Sequence, residues 1–122
     1  MIPGQIGDAT RMVHRIRSRA TRQQLDEMLE TLRVYVKVAV DIRQGILAGG
    51  GVLHADCEAV LLDEGSRQED IWGADWIPET QQIQYEALIN IRPRQNNPSM
   101  VILDPSIRDR VGTIMQNLLG GV

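Results

Sequence analysis

The stretch Ile71-Trp72-Gly73-Ala74-Asp75-Trp76-Ile77, continued by Pro78-Glu79-Thr80-Gln81 and by Gln82-Ile83-Gln84-Tyr85-Glu86-Ala87-Leu88-Ile89-Asn90-Ile91, decides how this chain folds. In its second half Ile83, Tyr85, Ala87, Ile89 and Ile91 alternate with Gln82, Gln84, Glu86, Leu88 and Asn90, the period of a strand with one buried face. Pro78 through Gln81 have the chemistry of a turn. The first half is less regular: Ile71, Trp72, Trp76 and Ile77 suit a strand or irregular chain, and the partner decides between them. Read together, residues 68–91 form a long hairpin turning at 78–81. Residues 68–70 and 90–92 then lie opposite each other at its open end.

Working outward toward the N-terminus, Leu53, Cys57, Val60 and Leu61 recur at helical spacing until Gly65 supplies a stop. Gly49-Gly50-Gly51 separates this helix from Ile46-Leu47-Ala48, which folds back on the β-branched run Val34 to Val40. Thr21 and Gln24 have the form of a capping box, and Leu25, Met28, Leu29 and Leu32 follow at helical spacing, predicting a helix over about 22–32. Residues 12–17 alternate as a half-buried strand. Toward the C-terminus, 93–98 is a polar loop and Met100-Val101-Ile102-Leu103 a short further strand. Asp104-Pro105 caps a last helix with Ile107, Val111, Ile114, Met115 and Leu118 on one stripe, ending before Gly120-Gly121. The order β-α-β-β-α-β-β-(β)-α describes one α+β domain over residues 1–122. Its sheet is mainly antiparallel, with about four to six strands and about three helices packed on one face.

The chain of 122 residues is long enough for one core and too short for two domains. No apolar run approaches the ~18 residues of a spanning helix, and the N-terminus lacks the apolar core of a secretion signal. The single cysteine, Cys57, has no partner for an internal disulfide, which suits a reducing, cytoplasmic setting. The net charge of −3 is unevenly placed. Arg11, Arg15, Arg17, Arg19 and Arg22 face only Asp8 within residues 1–22, and the rest of the chain is acidic. The Arg-rich segment 1–20 reads as a strand or an oligomer arm, meeting an acidic partner or the chain's own acidic body.

The candidate binding surface is the open end of the hairpin, which gathers Gln68, Glu69, Asp70, Asn90, Arg92, Arg94 and Asn96. An arginine fork there could hold a carboxylate or phosphate, and Asp70 or Glu69 could serve as a base. The plainer alternative is an Arg–carboxylate network pinning the loop. A second set, His54, Asp56 and Glu58, puts ligand types within one helical turn, but two or three donors fall short of a zinc site. Helix-dipole complementation by Asp56 and Glu58, with His54 bonding a loop, explains the same residues. Neither a metal nor a cofactor is expected. The triple glycine matches no nucleotide-binding motif and suits a sharp bend or close packing. Trp72 and Trp76 fit a core or a subunit interface better than base stacking, since residues 68–86 hold no Lys or Arg.

Four strings carry a resemblance: Gly51-Val52-Leu53-His54-Ala55-Asp56 with Leu61-Leu62, Gly65-Ser66-Arg67-Gln68-Glu69-Asp70-Ile71-Trp72-Gly73, Ile89-Asn90-Ile91-Arg92-Pro93-Arg94-Gln95-Asn96, and Asp104-Pro105. Over about residues 21–119 the chain resembles a family of small prokaryotic proteins known only as a domain of unknown function. The resemblance implies a compact single domain and brings no activity or ligand. It has a small residue such as Ala where this chain has Cys57, which argues against cysteine chemistry. Three functional expectations stand side by side. The first is a small self-associating binding protein, a homo-oligomer. The second is an enzyme acting on a phosphorylated or carboxylated metabolite through Asp70, Arg92 and Arg94. The third, nucleic-acid binding through the N-terminal arginines, is opposed by the net acidity.

Overall fold

A computed structural model of the chain describes residues 12–122. Strands β1 (His14–Ile16), β2 (Val36–Asp41), β3 (Ile46–Gly49), β4 (Ile71–Ile77) and β5 (Gln82–Gln84) form one antiparallel sheet in the order β1-β3-β2-β4-β5. Helices α1 (Arg22–Met28), α2 (His54–Asp63) and α3 (Pro105–Leu119) complete an α+β domain. The expected capping box starts α1: Thr21 Oγ1 accepts from the Gln24 N–H at 3.1 Å, and Gln24 Oε1 from the Thr21 N–H at 2.9 Å. The helix stops at Met28 rather than near residue 32, and the chain turns through a left-handed Arg33 into β2. Asp104 caps α3 by accepting from the Ser106 N–H at 2.8 Å, with Pro105 in the first turn. Residues 1–11 of the Arg-rich segment, Arg11 among them, lie outside the described residues.

Along the strands, side chains alternate between two apolar faces. Val36, Val38, Val40, Leu47, Trp72, Ala74 and Trp76 point to one face and pack against Leu25 and Met28 of α1 and Val111, Met115, Leu118 and Leu119 of α3. Ala39, Ala48 and Ile71 point to the other, beneath Cys57 and Leu61 of α2. The helices therefore divide two and one across the sheet, which corrects the single-faced arrangement expected from the sequence. A sheet covered on both sides explains why Val36 to Asp41 is almost wholly buried instead of half-exposed. Small residues on the second face let α2 come close enough for the Cys57 thiol to donate to the Gly50 carbonyl at 3.3 Å. Burial, reinforced by Asp56, pushes that thiol up to about 12.

The hairpin turns where expected but is short. Only Asp75↔Gln84, Trp76↔Ile83 and Ile77↔Gln82 pair. From Tyr85 the chain leaves β4: the Ala87 N–H donates to the Met100 carbonyl and the Ile102 N–H to the Tyr85 carbonyl, each at 3.1 Å. A 3-10 turn, Leu88–Asn90, follows. The expected strand at 82–91 thus ends at Gln84, and the segment expected as a strand at 100–103 forms only an isolated bridge, Glu86↔Val101. Gly73 leaves room for this path. A Cβ there would lie 2.5 Å from Ala87 Cβ and 2.9 Å from Ile89 Cγ1, so Ala87 and Ile89 lie across the face of β4 instead of beside it. The triple glycine packs closely as well. Gly50 takes a φ of +112°, and a Cβ on it would meet the Met12 carbonyl oxygen at 2.1 Å.

Gly73→Ala is expected to lower unfolding stability by about 1–3 kcal/mol through overpacking against Ala87 and Ile89. Urea unfolding measures it, and an unchanged midpoint would show that residues 87–89 do not press on the strand.

Candidate functional site

The open end of the hairpin does assemble, although backbone carbonyls rather than carboxylates hold it together. Asn90 has no exposed surface, and its carboxamide accepts from the Gly73 N–H at 2.7 Å and donates to the Gly73 carbonyl at 2.9 Å. Arg92 is 9% exposed. Its Nε donates to the Ile89 carbonyl at 2.9 Å, and Nη1 donates to the Gln68 carbonyl at 2.6 Å and to Gln95 Oε1 at 3.3 Å. Nη2 donates to the Ile71 carbonyl and lies 3.6 Å from Glu58 Oε2. The guanidinium also sits over the Trp72 ring, 4.7 Å from its centroid. Four N–H groups of Arg92 are thereby bonded to acceptors of the protein itself, and the Nη2 side keeps only an ion-pair approach to Glu58, whose Oε2 has no hydrogen-bond partner.

Other members of the cluster point elsewhere. Asp70 turns away from Arg92 to accept from Arg43 Nε at 3.1 Å. Glu69 contributes its carbonyl to Gln95 Nε2 at 3.0 Å. Gln68 and Arg94 are exposed along a groove of about 660 Å³ shared with Glu58, Leu88, Ile91 and Pro93. Asn96 is exposed in a left-handed conformation that ends the 3-10 turn Pro93–Gln95. Its neighbour Asn97, passed over in the sequence, is the hub of the loop. Its Nδ2 donates to the carbonyls of Asn90, Ser99 and Val101, and its Oδ1 accepts from the Leu103 N–H.

A second buried anchor lies at the β2–β3 turn. Asp41 has no exposed surface, and its two oxygens accept from the N–H groups of Arg43 and Gln44, from Gln44 Nε2 and from the Ser66 hydroxyl at 2.6 Å. Burial alone would raise its pKa, but the bonds from Ser66, Gln44 and Arg43 outweigh burial and hold the carboxyl below its ordinary value.

The remaining polar group of interest is His54, in the first turn of α2. Its Nε2 meets Asp75 Oδ1 at 2.8 Å and the Ala74 carbonyl at 3.1 Å. His54 and Glu58, one turn apart, thus take different partners, Asp75 and Arg92. Asp56 sits in the first turn of a helix whose N-cap, Leu53, offers no side-chain acceptor, so its charge complements the open positive end. Among the described residues no three of His, Cys, Asp and Glu gather as metal ligands. Asp75 pairs across the sheet with Lys37 on one side and Gln84 on the other. These residues floor a groove of about 470 Å³ walled by Tyr35, Leu53, Leu88, Ile89 and Met100, with Glu86 also lining it. Sequence reading missed Lys37 and Asp75. A signal existed: each is the lone charge within an apolar run, and antiparallel pairing of the two runs sets them opposite each other.

Trp72 and Trp76, at 1% and 0% exposed, belong to the core and are closed to any base. Arg15 and Arg17 both pair with Glu64, and Arg22 pairs with Asp26 at 3.1 Å. Three of the described arginines of the basic segment, Arg15, Arg17 and Arg22, therefore meet the chain's own acidic residues.

Asp41 yields a signed prediction. Because its pKa is lower folded than unfolded, it adds stability that is complete above the ordinary carboxylate range and fades as pH falls through the folded value. Ser66→Ala is expected to cost about 1–3 kcal/mol at neutral pH and progressively less in acid, read from melts across pH. A deficit that is the same at every pH would remove the link to Asp41.

Neither the curated proteins nor the solved structures include a match to this chain. A family model matches residues 14–118, nearly the whole described region and all the residues of both grooves. The chain belongs to that family, DUF5674, proteins of unknown function.

Proposed function

We propose that the chain is a small binding protein, working in the cytoplasm, whose ligand lies in the groove between the first turn of α2 and residues 84–89. The observation that carries this reading is the His54–Asp75 pair, held at 2.8 Å on the floor of a groove with apolar walls. A few converging polar groups among apolar walls is the composition of small-molecule sites. The walls are also unusually exposed, with Leu88 at 70% and Leu53 at 54%. Large apolar side chains left in water side by side mark recognition surfaces. The adjoining groove that Arg92 and Arg94 line shares Leu88 and Ile89 with it, so the surface expected from Gln68 to Asn96 extends the same recognition face.

A cytoplasmic setting draws support from the one cysteine being buried and from the lack, among the described residues, of any helix long and apolar enough to cross a membrane. Self-association would use the same exposed leucines. The metabolite-enzyme reading is weaker as first framed, since Arg92 is buried and four of its N–H groups are already bonded within the protein. Its acid–base work would fall to His54, which Asp75 orients in the manner of a general base.

The test is an NMR titration of the labelled protein with indole as a neutral probe. Shifts are expected at Lys37, residues 53–55 and 84–89 and Met100, and they should disappear in Leu88→Glu. Shifts confined to other surfaces, or none at millimolar probe, would overturn the proposal. Light scattering on the same samples reads self-association: a dimer dispersed by Leu88→Glu supports it, and a monomer throughout removes it.

A further inference from the structure

We infer that the occupant of this groove is a small zwitterion with a short apolar body, of which a free amino acid with an apolar side chain is the simplest case. The inference rests on the groove being the binding site, and it follows from how the charges there are already used. The carboxylate of Asp75 is engaged by His54. Lys37 and Glu86 line the same groove, and among the described residues neither has an opposite charge within 4.0 Å.

Lys37 is half-buried on a central strand with Asp75 opposite it, whereas Glu86 stands exposed beyond the end of β5. The groove is thus lined by one ammonium and one carboxylate with no ion-pair partner among the described residues, together with apolar walls. A ligand carrying a carboxylate and an ammonium answers both without adding net charge. A ligand with only one charge leaves the opposite residue uncompensated as water is driven out. Leu53, Leu88 and Met100 accept the apolar body. Geometry also sets a size limit, since about 470 Å³ of partly open space admits a single amino acid more readily than a folded peptide.

Isothermal titration with L-leucine, 4-methylpentanoate and 3-methylbutylamine tests the inference, with 6-aminohexanoate to report the spacing of the charges. Leucine or 6-aminohexanoate is expected to bind about five- to tenfold more tightly than either singly charged analogue. Lys37→Met and Glu86→Gln should each bring the zwitterions down to the affinity of the singly charged analogues while leaving thermal melting unchanged. Equal binding of 4-methylpentanoate would overturn the zwitterion in favour of a simple organic anion. Equal binding of 3-methylbutylamine would overturn it in favour of a cation. If indole binds and none of the four charged compounds does, the groove stands and the zwitterion falls. If indole too fails, the groove itself is excluded.

Discussion

The backbone of β4 ahead of Asp75 must find hydrogen-bond partners, and the rest of the molecule is arranged around how it does so. β5 stops at Gln84, leaving Gly73 and Ile71 facing a gap where the next strand residues would sit. Each buried, unmatched peptide group would cost about 1–3 kcal/mol. The Asn90 carboxamide presents an acceptor and a donor in the same relation as a peptide unit, and it supplies both to Gly73. The Arg92 guanidinium takes the Ile71 carbonyl and then gathers Gln68, Ile89 and Gln95. Two side chains stand in for a strand. Asn90 and Arg92 therefore look like recognition residues in the sequence and behave as scaffold in the fold, for the polar side chains that could bind a ligand are also the ones that can imitate a backbone.

This substitution opens the groove. Had the hairpin run to residue 91, a continuous strand would have lain beside β4, and its side chains would have divided between the two faces. Instead Ala87 and Ile89 fold over the α2 face of β4, and Leu88 is left facing water. A trough results between this flap and the first turn of α2. Gly73 at one end and the Asn97 hub at the other keep the flap in place. Position and chemistry of the trough thus follow from a strand that ended early.

Much of this fold was legible in residue patterns. Thr21 with Gln24, Asp104 with Pro105, and the β-branched run ahead of Ile46 announce their elements by local chemistry, and those elements form, although the first helix ends at Met28 rather than near residue 32. What escaped was decided by contacts across the chain. Alternation from Gln82 to Ile91 is compatible with a strand throughout, and the missing Cβ of Gly73, distant in sequence, leaves room for its second half on the sheet. The helices fall on both faces because Ala39 and Ala48 are small, a property that shows its meaning only once the sheet is assembled. The candidate cluster was legible as a neighbourhood, since residues 68–71 and 90–92 do meet. How the donors are spent was not, because a sequence displays side chains and hides the carbonyls that Arg92 chooses. Lys37 and Asp75 became visible only after the register placed them opposite each other.

Cys57 sits beneath all of this, its thiol wedged between α2 and the carbonyls of Lys37 and Gly50 and pushed up to about 12. At neutral pH the reactive thiolate is scarce while the helix is seated. Alkylation by a soluble reagent therefore becomes a clock for helix detachment: every labelled molecule marks a moment when α2 had lifted from the sheet. Since the first turn of that helix forms one lip of the trough, anything lodged between the lips and gripping both would slow the clock.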